Sequence, residues 1–311
     1  MTQIRHVYGP VCSRRLGRSL GIDLVPYKIC SYDCIYCQLG RTTNLTLERR
    51  EYVPIAAVLE ELRAQLAAVP APDYITLAGS GEPTLNSGLG QLIEGIRELT
   101  EIPLAVLTNG SLLWMPEVRA ELIKADLVVP SLDAGDEALF HHVNRPHPSL
   151  SFATMIDGLV KFRREFSGRI WLEIFLLGGV TGILYEVDKI AALVDRMQPD
   201  RVQLNTVARP PAEEYAFAVN REKLHSFSKR FSVPTDVVSE GVQDRIVSLS
   251  APQEGELLTL LSRRPCPLSE IAAGLGRAPN EVLKLLEKMM QQKLIAAIFK
   301  NGRYFYQTVR S

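Results

Sequence analysis

From residue 20 to residue 204 the sequence alternates short apolar runs with helical periodicities, and that alternation leaves few architectures open. The runs at 20–25, 74–78, 104–108, 127–131, 170–177 and 202–205 are nearly continuous in apolar residues. Strands of a parallel sheet read this way because both of their faces are buried. Between them Val58, Leu59, Leu62, Leu66 and Val69 recur at helical spacing, as do Ile156, Leu159 and Val160, and Ile190, Leu193 and Val194. Five βα units and a sixth strand predict an α/β fold, a partial (β/α)6 barrel of TIM type. A doubly wound open sheet is the alternative.

Several of these runs end in polar or small residues. The second passes into Gly79-Ser80-Gly81-Glu82-Pro83, the third into Thr108-Asn109-Gly110, the fourth into Ser131-Leu132-Asp133 and the sixth into Asn205-Thr206. The carboxyl ends of barrel strands form the active face, so these residues are expected to converge on one mouth. Glu173 interrupts the apolar fifth run and is expected inside the barrel, because a buried carboxylate needs a partner.

Beyond Asn205 the pattern changes. A helix is expected near 221–230 and a linker at 248–255. Helices follow at 256–262, 267–275 and 278–293, the last with Val282, Leu285, Leu286 and Met289 on one face. A hairpin at 295–309 turns at Asn301-Gly302. This order predicts a winged helix, so the expected domains are residues 1–248 and 249–311. Its third helix carries Asn280, Lys284, Lys288, Gln291, Gln292 and Lys293, a modest phosphate footprint.

The chain has 35 basic and 35 acidic residues, which would argue against a polyanionic partner if the charge were evenly spread. It is not. Residues 1–50 hold eight basic and three acidic residues, residues 251–311 nine and five, and the stretch between 18 and 27. No apolar run approaches the ~20 residues of a membrane helix, so no membrane association is expected. The start lacks a signal core, and five cysteines, an odd number, suit a reducing compartment. A cytoplasmic location follows as an expectation.

Three of those cysteines, Cys30, Cys34 and Cys37, fall within eight residues just after the first run. A structural zinc site wants four ligands, commonly from two pairs, and no second pair exists. A [4Fe–4S] cube takes one thiolate per iron, so three cysteines leave one iron open to a small molecule.

With the aromatic Tyr36, this C-x3-C-xΦ-C pattern resembles the signature of the radical SAM superfamily. The resemblance spans roughly residues 8–245. It implies a [4Fe–4S] cluster on Cys30, Cys34 and Cys37 and S-adenosylmethionine on the open iron. It further implies a reducing partner such as flavodoxin or ferredoxin, and a 5′-deoxyadenosyl radical that abstracts a substrate hydrogen. Ser80, Gly81 and Glu82 stand where the family has its GGE-type motif near the methionyl amine. Tyr36, Thr108, Asn109, Ser131, Asp133, Gln203 and Asn205 become candidate cofactor contacts.

Tyr8-Gly9-Pro10-Val11, Ser13-Arg14-Arg15-Leu16-Gly17, Cys34-Ile35-Tyr36-Cys37-Gln38 and Ser80-Gly81-Glu82-Pro83-Thr84-Leu85 are similar to the branch of wyosine-type tRNA synthases. That branch carries a second cluster, whereas only Cys12 and Cys266 remain here, and its pyruvate-holding lysine is not mapped; Lys28 lies near the motif. The expected function is radical modification of a macromolecule, tRNA favoured. A peptide- or protein-modifying enzyme and an iron–sulfur transcriptional sensor are the alternatives. Among weaker constellations, His141, His142 and His147 are read as a helix end and turn. Arg145 and Arg209 suit an anion or a salt bridge. Arg14, Arg15 and Arg18 suit substrate anions or a solvated face, and Cys12 and Cys266 are read as small apolar fillers.

Overall fold

The computed structural model describes residues 5–13, 15–238, 254–300 and 302–309. Arg14, Asn301, the side chain of Cys12 and most of the expected linker lie outside the described residues. In chain order come β1 (Val7–Ser13), β2 (Gly17–Ile22), β3 (Ile29–Cys30), β4 (Asn44–Leu45), α1 (Ile55–Ala68), β5 (Tyr74–Leu77), α2 (Leu89–Leu99) and β6 (Leu104–Thr108). Next are α3 (Pro116–Leu122), β7 (Leu127–Pro130), α4 (Glu137–Val143), α5 (Phe152–Glu165) and β8 (Arg169–Phe175). The alternation ends with α6 (Leu184–Met197), β9 (Arg201–Asn205), α7 (Arg221–Ser228) and β10 (Thr235–Val237).

The main sheet runs β1-β2-β5-β6-β7-β8-β9-β10. Every neighbouring pair except β1/β2 is parallel, with Leu20 opposite Ile75, Thr76 opposite Ala105 and Leu107 opposite Val129. Parallel neighbours need crossovers, and the amphipathic helices supply them. Val58 and Leu62 of α1, Leu92 and Ile96 of α2 and Ile190 and Val194 of α6 are buried in one continuous core. Each such side chain contributes about 2 kcal/mol. Strand twist rotates successive strands by ~20–25°, so a sheet of this order curls. Ser19, Thr76, Leu107, Glu173 and Asn205, from five strands, and Ser131, just past the end of β7, line a cavity of 330 Å³. Strand β8 shows the two environments most clearly. Ile170, Leu172 and Ile174 are buried, while Trp171, Glu173 and Phe175 alternate with them and are only partly so.

All six expected strands are present, but the sheet has two more. Strand β1 was hidden because Gly9-Pro10 reads as a turn, yet proline is tolerated on an edge strand, and the pairing with β2 shifts register between Tyr8 and Val11. Strand β10 is three residues long and carries little pattern.

The C-terminal residues form α8 (Glu254–Arg263), α9 (Leu268–Leu275), α10 (Pro279–Gln291), β11 (Ile295–Lys300) and β12 (Arg303–Thr308), each within two residues of the sequence expectation. They close a second core of Leu257, Leu261, Ile271, Val282, Leu286 and Met289. Cys266 is buried there and its backbone pairs with Tyr306, in keeping with an apolar filler. Val11 of β1 packs against this core. Among the described residues two ion pairs join the units: Arg263 to Asp23 at 2.6 Å and Arg209 to Glu270 at 2.5 Å. Among the described residues no helix is long and apolar enough to cross a membrane.

Candidate active site

The cysteine segment is held on two sides by backbone hydrogen bonds. On one side Asp33 N donates to Asn144 O, Ile35 N to Val143 O and His147 N to Ser31 O, at 2.9–3.0 Å. On the other, Lys28 N donates to Ser80 O at 2.7 Å and Glu82 N to Ile29 O at 3.1 Å. The second contact requires glycine. A Cβ on Gly81 would lie 1.9 Å from Ile29 O, so the two backbones can meet only where no side chain stands between them.

Each of the three sulfurs faces a nitrogen donor. Asn109 Nδ2 lies 3.6 Å from Cys30 Sγ, Asn144 Nδ2 3.5 Å from Cys34 Sγ and Lys28 Nζ 3.2 Å from Cys37 Sγ. Lys28 itself is buried and sits at φ +58°, a left-handed conformation unusual for lysine. Burial pushes the Cys30 thiol up to about 12 and the Cys34 thiol upward as well. As bare thiols both stay protonated, and only nearby positive charge would convert them to thiolates.

Two buried carboxylates organise the surroundings. Glu82 accepts hydrogen bonds from Thr84 N, Thr84 Oγ1, Thr108 Oγ1 and Asn109 N, at 2.6–3.1 Å. Asn109 in turn donates to Ser31 Oγ at 2.8 Å. Asp133 accepts from Asn144 Nδ2 at 2.8 Å, from Phe175 N at 3.0 Å and from the Tyr36 hydroxyl. Tyr36 also stacks on Phe175, with ring centroids 4.0 Å apart. Both networks therefore end on side chains that face the sulfurs.

Residues 24–206 match the family model of the radical SAM superfamily. The chain belongs to that superfamily. A protein named GTPase Obg from Brachyspira hyodysenteriae is 40% identical to it across 97% of this chain. The chain spans only 45% of that relative's length. A UPF0026 protein of Methanocaldococcus jannaschii is 31% identical over 96% of this chain and 94% of its own. Among solved structures, a radical SAM methyltransferase from Sphaerobacter thermophilus superposes with a TM-score of 0.53 at 18% identity. The match covers 70% of this chain and 65% of that one, and at this identity it shows likeness of fold. The family implies an iron–sulfur cluster and S-adenosylmethionine.

The residues present fit such a cluster. Three sulfurs on one segment, each beside a nitrogen donor, and a buried lysine that offsets negative charge match what an iron–sulfur group asks of its surroundings. Among the described residues no group of three or more His, Cys, Asp or Glu is placed to hold a single metal ion.

The radical SAM site residues expected from the sequence divide into two groups in space. Glu82, Thr108, Asn109, Asp133 and Tyr36 join the two networks beside the cysteines. Ser131 and Asn205 line the cavity with Tyr36 and Cys37, and Asn205 Nδ2 donates to Glu173 Oε1 at 2.9 Å. Glu173 lies in the interior as expected, ion-paired to Arg15 at 2.9 Å. Ser80 is bonded to Asp23 through both its amide and hydroxyl. Gln203 is buried. His141 pairs with Glu137 on the surface of α4, and Arg145 is tied to Glu213 and Tyr215 at 2.7 Å. Sequence reasoning missed Asn144 and Asp23 and left Lys28 without a role. Nothing in a sequence tells which of several asparagines will face a sulfur.

Asp133 gives a pH signature. Burial raises its carboxyl to about 6, against the opposing pull of the hydrogen bonds from Tyr36, Asn144 and Phe175 N. An unfolded chain releases this proton near pH 4. Stability tied to the protonated form is therefore complete below about pH 4 and declines by about 3 kcal/mol as pH rises through 6. The unfolding free energy of the wild type relative to Asp133→Asn is expected to fall by that amount between pH 4 and 7. Parallel curves in urea titrations would refute it.

Proposed function

We propose that Cys30, Cys34 and Cys37 hold a [4Fe–4S] cluster whose open iron takes S-adenosylmethionine, in a partial barrel spanning residues 1–248. When bound, and reduced by a flavodoxin- or ferredoxin-like donor, the pair supplies reductive cleavage to a 5′-deoxyadenosyl radical. The observation that carries this reading is the convergence of three sulfurs, three side-chain nitrogen donors and the Gly81 backbone beside a cavity.

The chain's own residues have separable tasks. The amides of Asn109 and Asn144 and the ammonium of Lys28 stabilise negative charge on the sulfurs. Glu82 fixes Asn109 through its backbone, and Asp133 fixes Asn144 through its side chain, so each donor is oriented by a buried carboxylate. Tyr36, Ser131 and Asn205 stand on the cavity wall, where they would orient the nucleoside end of the cofactor. The apolar side of the cavity, Leu107, Val207 and Leu260, restricts water around a reactive radical.

The substrate in this proposal is a macromolecule, with tRNA favoured, and residues 249–311 act as a winged-helix module that recruits it. The supporting observation is the solvent side of α10 and the turn that follows it, where Asn280, Lys284, Lys288, Gln291, Gln292 and Lys293 are all exposed. Protein reconstituted anaerobically with iron and sulfide is expected to release 5′-deoxyadenosine on addition of S-adenosylmethionine and dithionite. Protein that binds only trace iron, or yields no 5′-deoxyadenosine, would sink the enzymatic reading. Nuclease-sensitive RNA that copurifies supports the tRNA reading, whereas a bound polypeptide in its place would redirect it to protein modification. A cytoplasmic setting suits both.

A further inference from the structure

Guanidinium groups from both units line the cavity. Arg15, Arg209, Arg263 and Arg264 are among the lining residues, and among the described residues Glu173 is the one carboxylate there. Desolvated cations need partners, and two of the three carboxylates that serve these, Asp23 and Glu270, lie off the cavity lining. Glu173 serves Arg15 at 2.9 Å, and Asp23 serves Arg263 at 2.6 Å. Glu270 is shared, lying 2.5 Å from Arg209 and 3.7 Å from Arg264. Among the described residues three carboxylates thus pair with four guanidiniums, and the Arg264 ion pair is the longest of these. The Nε atoms of Arg209 and Arg263 are buried without a hydrogen-bond partner, although both side chains are nearly enclosed.

The position of Arg264 gives this surplus a direction. A second cavity, of 530 Å³, lies between the Gln38–Gly40 turn, Pro210-Pro211 and the β11/β12 hairpin. Arg264 and Gln38 line both cavities. Gln38 also accepts a hydrogen bond from Arg209 at 3.0 Å, so the same cluster stands where the outer groove meets the inner chamber.

We infer that Arg264 and Arg209 form an oxyanion subsite of the substrate, which takes a phosphate or carboxylate group entering between the hairpin and the Gln38 turn. Guanidinium forks suit both groups, since each offers two oxygens to paired N–H donors. Glu270 occupies the place of that anion until it arrives, and the incoming group takes over part of its hydrogen bonding. This subsite deepens the proposed function by naming the chemistry of the substrate end that faces the C-terminal unit.

The test is equilibrium binding to the full-length reconstituted protein without reductant, so its outcome does not depend on radical chemistry. Inorganic pyrophosphate, guanosine 5′-monophosphate and pyruvate are titrated calorimetrically. The first two report a phosphate source and the third a carboxylate. At least one is expected to bind saturably, and Arg264→Gln is expected to weaken that binding about tenfold or more. Glu270→Gln, which frees both guanidiniums, is expected to tighten it severalfold, a gain that misfolding cannot produce. Absence of saturable binding for all three probes, or affinities unchanged in both variants, would overturn the subsite. Release of 5′-deoxyadenosine in the separate assay stands or falls independently.

Discussion

Replacing Cys34 by alanine is expected to reduce the iron held after anaerobic reconstitution to trace amounts and to abolish release of 5′-deoxyadenosine. In a cube each iron takes one ligand from outside, so a chain that offers two thiols leaves two irons unsupported. The neighbours cannot substitute. Asn144 presents a donor to the Cys34 sulfur, and Asp133, the nearest carboxylate in that network, is already bonded to Tyr36, Asn144 and Phe175 N. The supporting amides rank below the cysteine. Asn144→Ala or Asn109→Ala is expected to cost about 10–100-fold in cluster affinity, the usual scale for groups that orient or polarise a ligand. Iron per chain, acid-labile sulfide and visible absorbance distinguish the three variants. A Cys34→Ala protein with wild-type iron content would remove Cys34 from the ligand set.

Gly81→Ala is expected to be nearly as damaging, although it adds a single methyl group. That methyl would stand 1.9 Å from Ile29 O and 2.9 Å from Val25 Cγ2, so main chain as well as side chain must move. Relief separates the 80–82 segment from the cysteine segment and breaks the hydrogen bonds from Lys28 N to Ser80 O and from Glu82 N to Ile29 O. Two lost backbone bonds at about 1 kcal/mol each, together with overpacking of about 1–3 kcal/mol, put the penalty at about 3–5 kcal/mol. The same shift displaces Lys28 from Cys37. Gly40→Ala is the contrast: its Cβ meets nothing within 4 Å, and only the positive φ of +83° opposes it, for about 1–2 kcal/mol. Urea midpoints at unchanged m-value and iron content measure both. Equal effects from the two substitutions would show that the Gly81 contact is not what matters.

The main features of the fold could be read because burial repeats along the chain. Strands β2 and β5–β9 are buried on both faces or alternate along one, so their apolar runs announced them, and the C-terminal elements were placed by the same periodicity. The edge strand β1 was not legible, because an edge needs neither apolar continuity nor every amide, and Gly9-Pro10 imitates a turn. In the site, the cysteines and the Ser80–Glu82 stretch carry a spacing that chemistry imposes. Lys28 and Asn144 carry none. Their roles arise from contacts with residues 9 and 110 positions away in sequence, and such contacts leave no local pattern. The basic residues divide in a similar way. An excess of charge at both ends of the chain was visible, but that Arg15 and Arg264 line one chamber is a property of the docked units.

The ion pair between Asp23 and Arg263 bears on the order in which the molecule matures. A chain leaves the ribosome amino-terminus first, and these partners are separated by 240 positions. Asp23 is almost wholly enclosed and also anchors Ser80, whose carbonyl holds Lys28 N. While the N-terminal unit is the only part made, that carboxylate lacks its counter-charge and the flank of the chamber beside α8 stands open. Docking of the later-synthesised unit supplies that cation and, through Leu260, Arg263 and Arg264, part of the chamber wall in one step.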